Sequence, residues 1–213
     1  MAKQKVIVYV DGFNFYYGLK SKGWRKFYWL DIVKFFDSFM RSHQDLVEVH
    51  YCSAVQRDTE KAARQELFFS ANKTNPRFVL HLGKYMDKKM KCRACSNTVH
   101  YFEEKETDVQ LATLIIKNVV QERCDISILV TADSDLMPPL RLIREVSPKH
   151  KVIVYFPPAR FSYDLKNNAN TIVDLGGHHK RFEASVLPNE ITLASGYKLI
   201  QPVHWRGGGL PSS

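Results

Sequence analysis

Val6-Ile7-Val8-Tyr9-Val10 constrains the fold more than any other stretch of the chain. A strand with one wet face alternates apolar and polar residues. An unbroken, β-branched apolar run needs cover on both faces. Parallel strands joined by crossover helices provide that cover. The rest of the chain fits this demand. Strand-like runs recur at 46–54, 78–82, 126–131, 151–156 and 171–175. Helical periods fall between them at 30–41, 58–72, 107–122, 136–146 and 162–168, with Asp58 and Ser162 placed as caps. The alternation predicts an α/β fold, a Rossmann-like, mostly parallel sheet flanked by helices, over residues 1–187. Residues 87–99 break the pattern with Lys88, Lys89, Lys91 and Arg93, and read as a polar hairpin excursion at about 86–100. Residues 188–213 form a C-terminal tail, partly packed through the apolar residues of 191–205 and frayed at its end.

Composition narrows the function. No apolar run reaches the roughly 18 residues of a membrane span. The N-terminus leads straight into a strand, with no apolar signal segment, so a cytoplasmic protein without disulfides is expected. Lys and Arg number 31 against 22 Asp and Glu, a net charge of +9. Such a surface attracts polyanions, nucleic acid first among them, although a solvated basic surface has the same composition.

Against that positive background, acids gather at strand ends. Asp11 stands at the carboxyl end of the first strand, and Asp133 and Asp135 just past that of the fourth. Ligands of open α/β sheets bind outside the carboxyl ends of the strands. One common strand order places the first and fourth strands side by side, so these acids converge in it. Asp108 opens a helix, where an acid is favoured by the free N–H groups alone. Two carboxylates about 4 Å apart repel by roughly 1 kcal/mol in water and by several times that near a protein surface. A cation relieves this, and hard divalent ions prefer oxygen ligands. The cluster is therefore a cradle for Mg²⁺ or Mn²⁺, suited to in-line hydrolysis of a phosphodiester. Asn14, three residues past Asp11, either assists there or caps a helix. The plain alternative for 133–135 is a strand-to-helix loop with Asp135 as the cap and Pro138 and Pro139 in the first turn.

Three pieces in this order resemble the NYN domain, a branch of the PIN-like nucleases, and within it the bacterial LabA-type group. They are Val8-Tyr9-Val10-Asp11-Gly12-Phe13-Asn14, Glu104-Lys105-Glu106-Thr107-Asp108-Val109 and Thr131-Ala132-Asp133-Ser134-Asp135-Leu136. Residues 162–175 are similar to the family's closing helix and strand, and the likeness spans roughly 4–176. The resemblance implies a Mg²⁺- or Mn²⁺-dependent acidic site that cuts RNA. By position, Asp11, Asp108, Asp133 and Asp135 are its catalytic and metal-binding quartet, with Asn14 beside them. Lys105 matches a basic position that touches phosphate. The chain departs from the pattern at Ala132, where glycine is common, and at Glu106-Thr107, where a small-apolar pair is frequent.

Further candidates surround these. Arg57, after the second strand, is a cation for the substrate groove, and Thr131 and Ser134 are candidate substrate contacts. Lys20, Lys22, Arg25 and Lys26 interleave with Trp24, Phe27, Tyr28 and Trp29, a composition suited to stacking unpaired bases or to core packing. Cys92 and Cys95 form half of a zinc site that histidine would have to complete; the alternative is a hairpin tip with two free thiols. The leading expectation is a metal-dependent endoribonuclease acting on single-stranded RNA. The alternative is a non-catalytic RNA-binding module of the same fold. An aspartyl-nucleophile phosphatase would need D-x-D on the first strand, where Phe13 stands instead.

Overall fold

The computed structural model describes residues 2–91, 95 and 97–206. The chain opens with β1 (Gln4–Asp11), α1 (Gly12–Ser21), α2 (Ile32–Asp37), β2 (Gln44–Ala54) and α3 (Thr59–Asn72). It continues through β3 (Phe78–Lys91), β4 (Thr98–Lys105), α4 (Thr107–Val120), β5 (Ile126–Val130) and α5 (Met137–Val146). It closes with β6 (Lys151–Phe156), α6 (Tyr163–Asn168), β7 (Thr171–Asp174), α7 (His179–Ala184), β8 (Glu190–Thr192) and β9 (Lys198–Ile200). Among the described residues one sheet runs in the order β4-β3-β2-β1-β5-β6-β7. Its six strands from β3 to β7 are parallel, and β4 joins the β3 edge antiparallel. β8 and β9 pair separately. The chain moves outward from β1 to β3, then returns to the other side of β1 with β5. Strand order therefore reverses between β1 and β5, and the crevice at their carboxyl ends lies there.

Each face of β1 meets its own helical layer, which accounts for the unbroken apolar run. Val6, Val8 and Val10 pack with Phe15 of α1, Phe35 and Phe36 of α2, Phe69 of α3 and Phe182 of α7. Ile7 and Tyr9 pack on the opposite face with Leu111 and Ile115 of α4, Leu140 and Ile143 of α5 and Leu165 of α6. By strand alternation Asp11 falls on the α4–α5 side.

Two helices have no counterpart in the sequence pattern, α1 and α7. Gly12, Gly18 and four aromatic residues give α1 poor intrinsic propensity. It forms because Asp11 caps it, accepting from the Asn14 N–H at 2.9 Å, and because Phe15 and Leu19 are buried. Gly12 is required by close approach: a Cβ there would meet the Tyr51 ring at 2.6 Å and the Cys52 carbonyl at 2.7 Å.

The excursion is longer and more regular than the sequence suggests. β3 does not stop near residue 82. It pairs with β2 from Phe78 to Gly83, then runs on with β4 from Lys84 to Lys91 as a ribbon. Lys84, Met86, Lys89 and Met90 are exposed there, so these positions carry no apolar pattern that sequence could reveal. Cys92 lies outside the described residues, and Cys95 is an exposed thiol. Among the described residues no helix is long and apolar enough to cross a membrane.

Candidate active site

Asp11 ends β1 at the strand-order reversal and is only 5% exposed. One of its oxygens accepts from the Asn14 N–H, the other from the Thr131 hydroxyl, each at 2.9 Å. Thr131 follows β5 and is fully buried, and its Oγ1 also accepts from the Asp133 N–H at 3.0 Å. The Asn14 side-chain oxygen accepts from the Ala132 N–H at 3.2 Å. These bonds tie the loop after β5 to the start of α1. Thr131, expected among the substrate contacts, spends its hydroxyl on Asp11 and on the Asp133 loop, and is a positioning residue. Ser134 is exposed on that loop.

The turn after β5 differs from the expected cap. Asp133, not Asp135, accepts the local N–H: the amide of Asp135 donates to its Oδ1 at 2.9 Å. A 3₁₀ turn over Ser134–Leu136 follows, and α5 begins at Met137 with no side-chain cap and with Pro138 in its first turn. The Asp135 carboxylate is left exposed in solvent.

Asp108 lies in the first turn of α4 and is exposed. Its helix is entered through Glu106, whose φ of 80° is left-handed. Beside that turn, Gly83 permits close packing: a Cβ there would meet the Lys105 carbonyl at 2.5 Å and the Thr107 hydroxyl at 2.7 Å. An ion pair of 3.3 Å joins Lys84 to Glu106. Left-handed backbone costs a non-glycine residue about 1 kcal/mol or more. A β-branched residue there is worse. Glu106→Val is expected to lower stability by roughly 1–2 kcal/mol, and Glu106→Asn to leave it nearly unchanged, in urea unfolding. Equal midpoints for the two variants would show that the strain is absent.

Burial pushes the Asp11 carboxyl up to about 6, and the charges of Asp108 and Asp133 push the same way. The bonds from Asn14 and Thr131 oppose this without cancelling it. The charges of Asp108 from α4 and of Asp133 from the β5 loop thus both reach Asp11, and Asp135, two residues on, binds Asp133 through its amide. Among the described residues, no three His, Cys, Asp or Glu side chains stand close enough to form a ready-made metal cage. The donor set is carboxylate oxygen with one buried, electrostatically crowded member. That fits Mg²⁺ or Mn²⁺, ions that take one or two carboxylates and keep waters, better than an ion needing an all-protein shell. Lys105 ends β4, three residues before Asp108, and Arg57 is exposed just beyond β2.

The Thr131 bridge and the link from Asn14 to Ala132 were not legible in sequence, because they join residues far apart in the chain. A hydroxyl directly after a buried run at a strand end was the one local signal.

No curated protein matches the chain. A crystal structure of a protein of unknown function from Vibrio parahaemolyticus is similar at 20% identity, with a TM-score of 0.54, over 80% of this chain and 92% of that one. This likeness concerns the fold. The family model of the NYN domain matches residues 5–176. That span holds β1 with Asp11, α4 with Asp108, the β5 loop with Asp133 and the closing strand β7, and the chain belongs to the NYN domain family, within the PIN-like nuclease superfamily.

Proposed function

We propose that the protein is a metal-dependent endoribonuclease, hydrolysing phosphodiester bonds of single-stranded RNA in the cytoplasm. The observation that carries this reading is the buried Asp11 carboxylate, held at the strand-order reversal and crowded by Asp108 and Asp133. Capping α1 accounts for an acid at this position, but burying its charge near two further acids is costly unless a cation joins them. Asp11, Asp108 and Asp133 would hold Mg²⁺ or Mn²⁺, with Asp135 at the rim. The bound ion supplies a Lewis acid for a phosphoryl oxygen and lowers the pKa of water. The chain's own residues do the rest. Thr131 and the Asn14 amide orient Asp11. Lys105 and Arg57 offer positive charge to the phosphates on either side, and Ser134 offers a hydroxyl from the exposed loop. The net charge of +9 holds the strand.

The test is cleavage of a labelled oligoribonucleotide with Mg²⁺ or Mn²⁺, with and without EDTA. Products should form with either ion and vanish with the chelator. RNA binding that falls with salt, without products under any divalent ion, would instead establish a non-catalytic RNA-binding module.

A further inference from the structure

A cavity of about 620 Å³ lies apart from the acid cluster, beyond the ends of β1 and β2, between α1, α3 and the turn at His204 and Trp205. Its size falls within the range of about 300–1,000 Å³ usual for small-ligand sites. Two of its lining residues, Gly12 and Phe13, directly follow Asp11 in the chain, while the Asp11 carboxylate faces the α4–α5 side of the sheet.

The walls combine rings with cations. Tyr16 stands 5.3 Å from Tyr17 and 4.9 Å from Tyr28, and Tyr28 stands 5.8 Å from Trp205, measured between ring centroids. Tyr17 is 43% exposed, so its ring is available. Of the basic-aromatic stretch after α1, Phe27 and Trp29 are buried in the core, whereas Arg25 and Tyr28 face this cavity. Lys20, Arg25, Lys61 and Arg64 line it against one acid, Glu60, which pairs with Arg64 at 3.4 Å. Among the described residues Arg25 has no carboxylate within ion-pair distance, and Lys20 lies over the Tyr17 ring at 5.6 Å. Burial raises the Tyr16 hydroxyl pKa while Arg64 and Arg25 lower it, which places both guanidiniums near that hydroxyl.

Rings that accept a flat base, next to cations without a carboxylate partner, match a nucleotide. We propose that this cavity receives one unpaired nucleotide of the RNA strand, its base stacked on the exposed Tyr17 ring with Tyr16 and Tyr28 at its edge, and its phosphate at Arg25 and Lys20. This rests on the reading of the protein as an RNA enzyme. It adds the reason for single-strand preference: a base held in a duplex must first be unstacked and unpaired before it can enter the cavity, a cost an unpaired base does not carry. The strand then passes Phe13, whose ring also meets Tyr85 of the ribbon at 6.3 Å, on its way to Asp11.

The experiment measures binding in EDTA, where nothing is cut, of a fluorescein-labelled single-stranded 12-mer and of the same sequence as a duplex. The full chain is compared with Tyr17→Ala, Arg25→Gln and a remote control, Lys117→Gln. Both cavity variants alter exposed side chains, and thermal unfolding confirms their folding. Tyr17→Ala should weaken single-strand binding by about 5- to 10-fold, the loss of one stacked base. Arg25→Gln should reduce the slope of log affinity against log salt by about 0.7. Lys117→Gln and duplex binding should change by less than twofold. A single 4-thiouridine in the strand should crosslink to the tryptic peptide holding Tyr16 and Tyr17. Wild-type affinity in both cavity variants, or a crosslink confined to the ribbon, overturns the proposal and leaves metal-dependent cleavage untouched. Weakened binding in a protein that never cuts RNA keeps the cavity and removes the nuclease reading. A mononucleotide, AMP or UMP, should compete with the strand. One that binds with the strand still in place reassigns the cavity to a free nucleotide and overturns the proposal.

Discussion

Asp11→Asn is expected to reduce RNA cleavage by at least roughly 100-fold while making the metal-free protein more stable. The two effects share one cause. Asparagine keeps one oxygen to accept from the Asn14 N–H, turns its NH2 to the Thr131 hydroxyl oxygen, which can accept it, and removes the buried charge. The folded pKa of Asp11 is raised from 3.8 to about 6. Between those values the folded state holds a proton that the unfolded state has released. Stability from this group is therefore fully present below about pH 3.8 and is lost as pH rises through about 6. At pH 7 the ionised carboxylate costs on the order of 2–3 kcal/mol, since a tenfold change in proton affinity is worth about 1.4 kcal/mol. The stability difference between Asp11→Asn and wild type, from urea unfolding in EDTA, should approach that size at pH 7 and shrink to nothing near pH 4. Saturating Mg²⁺ should narrow the gap by stabilising only the wild type. A variant that is less stable than wild type at pH 7 would show that Asp11 is a paired structural acid and not a crowded one. Asp133→Asn should also lose cleavage, with little change in stability, because an asparagine oxygen can still accept from the Asp135 N–H.

A second large effect opposes the first along the pH axis. His50 of β2 is 4% exposed and stacks on Tyr9 at 5.4 Å. Its Nδ1 lies 2.9 Å from His81 Nε2, and its Nε2 lies 3.2 Å from the Asn118 amide. Burial, then His81, Arg123 and Lys117, lowers its pKa from 6.5 to about 4. Glu48 stands 3.2 Å from His50, but it is already paired with Arg123 at 2.8 Å. His81 and His150 are lowered by burial as well. For a histidine with a depressed folded pKa, the unfolded chain takes up the proton first. Stability is present above about pH 6.5 and is lost as pH falls toward about 4. The loss from His50 is roughly 3 kcal/mol. In the wild type, the gain from Asp11 offsets part of it over the same window. In Asp11→Asn that offset is gone, so its stability should fall more steeply between about pH 6.5 and 4, from a higher value at pH 7 to meet that of the wild type near pH 4. Stabilities of the two proteins that coincide from pH 7 to pH 4 would remove the Asp11 assignment, and a variant whose stability does not fall over that range would remove that of His50.

The runs that became strands were legible because burial on both faces leaves an unbroken β-branched signature, as in Val6–Val10 and 126–130. The acids at their ends were legible because strand ends and charges are both local. The NYN motifs could be read for the same reason. The cap after β5 differs from expectation because Asp133 and Asp135 have the same chemistry, and only the path of the turn chooses between them. α1 is hidden in the sequence because its glycines and aromatics weaken helix propensity, and what forms it is contact: Tyr51 against Gly12 and a buried Phe15.

The sequence by itself determined the α/β layering, the strand that carries Asp11 and the acidic residue types beside it. These follow from periodicity and from chemistry within a few residues. Only the tertiary structure decided that β1 adjoins β5, that Thr131 holds Asp11, and that Asp133 and not Asp135 accepts the N–H of the turn. Such relations join residues up to 120 positions apart, and no local pattern encodes a contact that folding alone brings about.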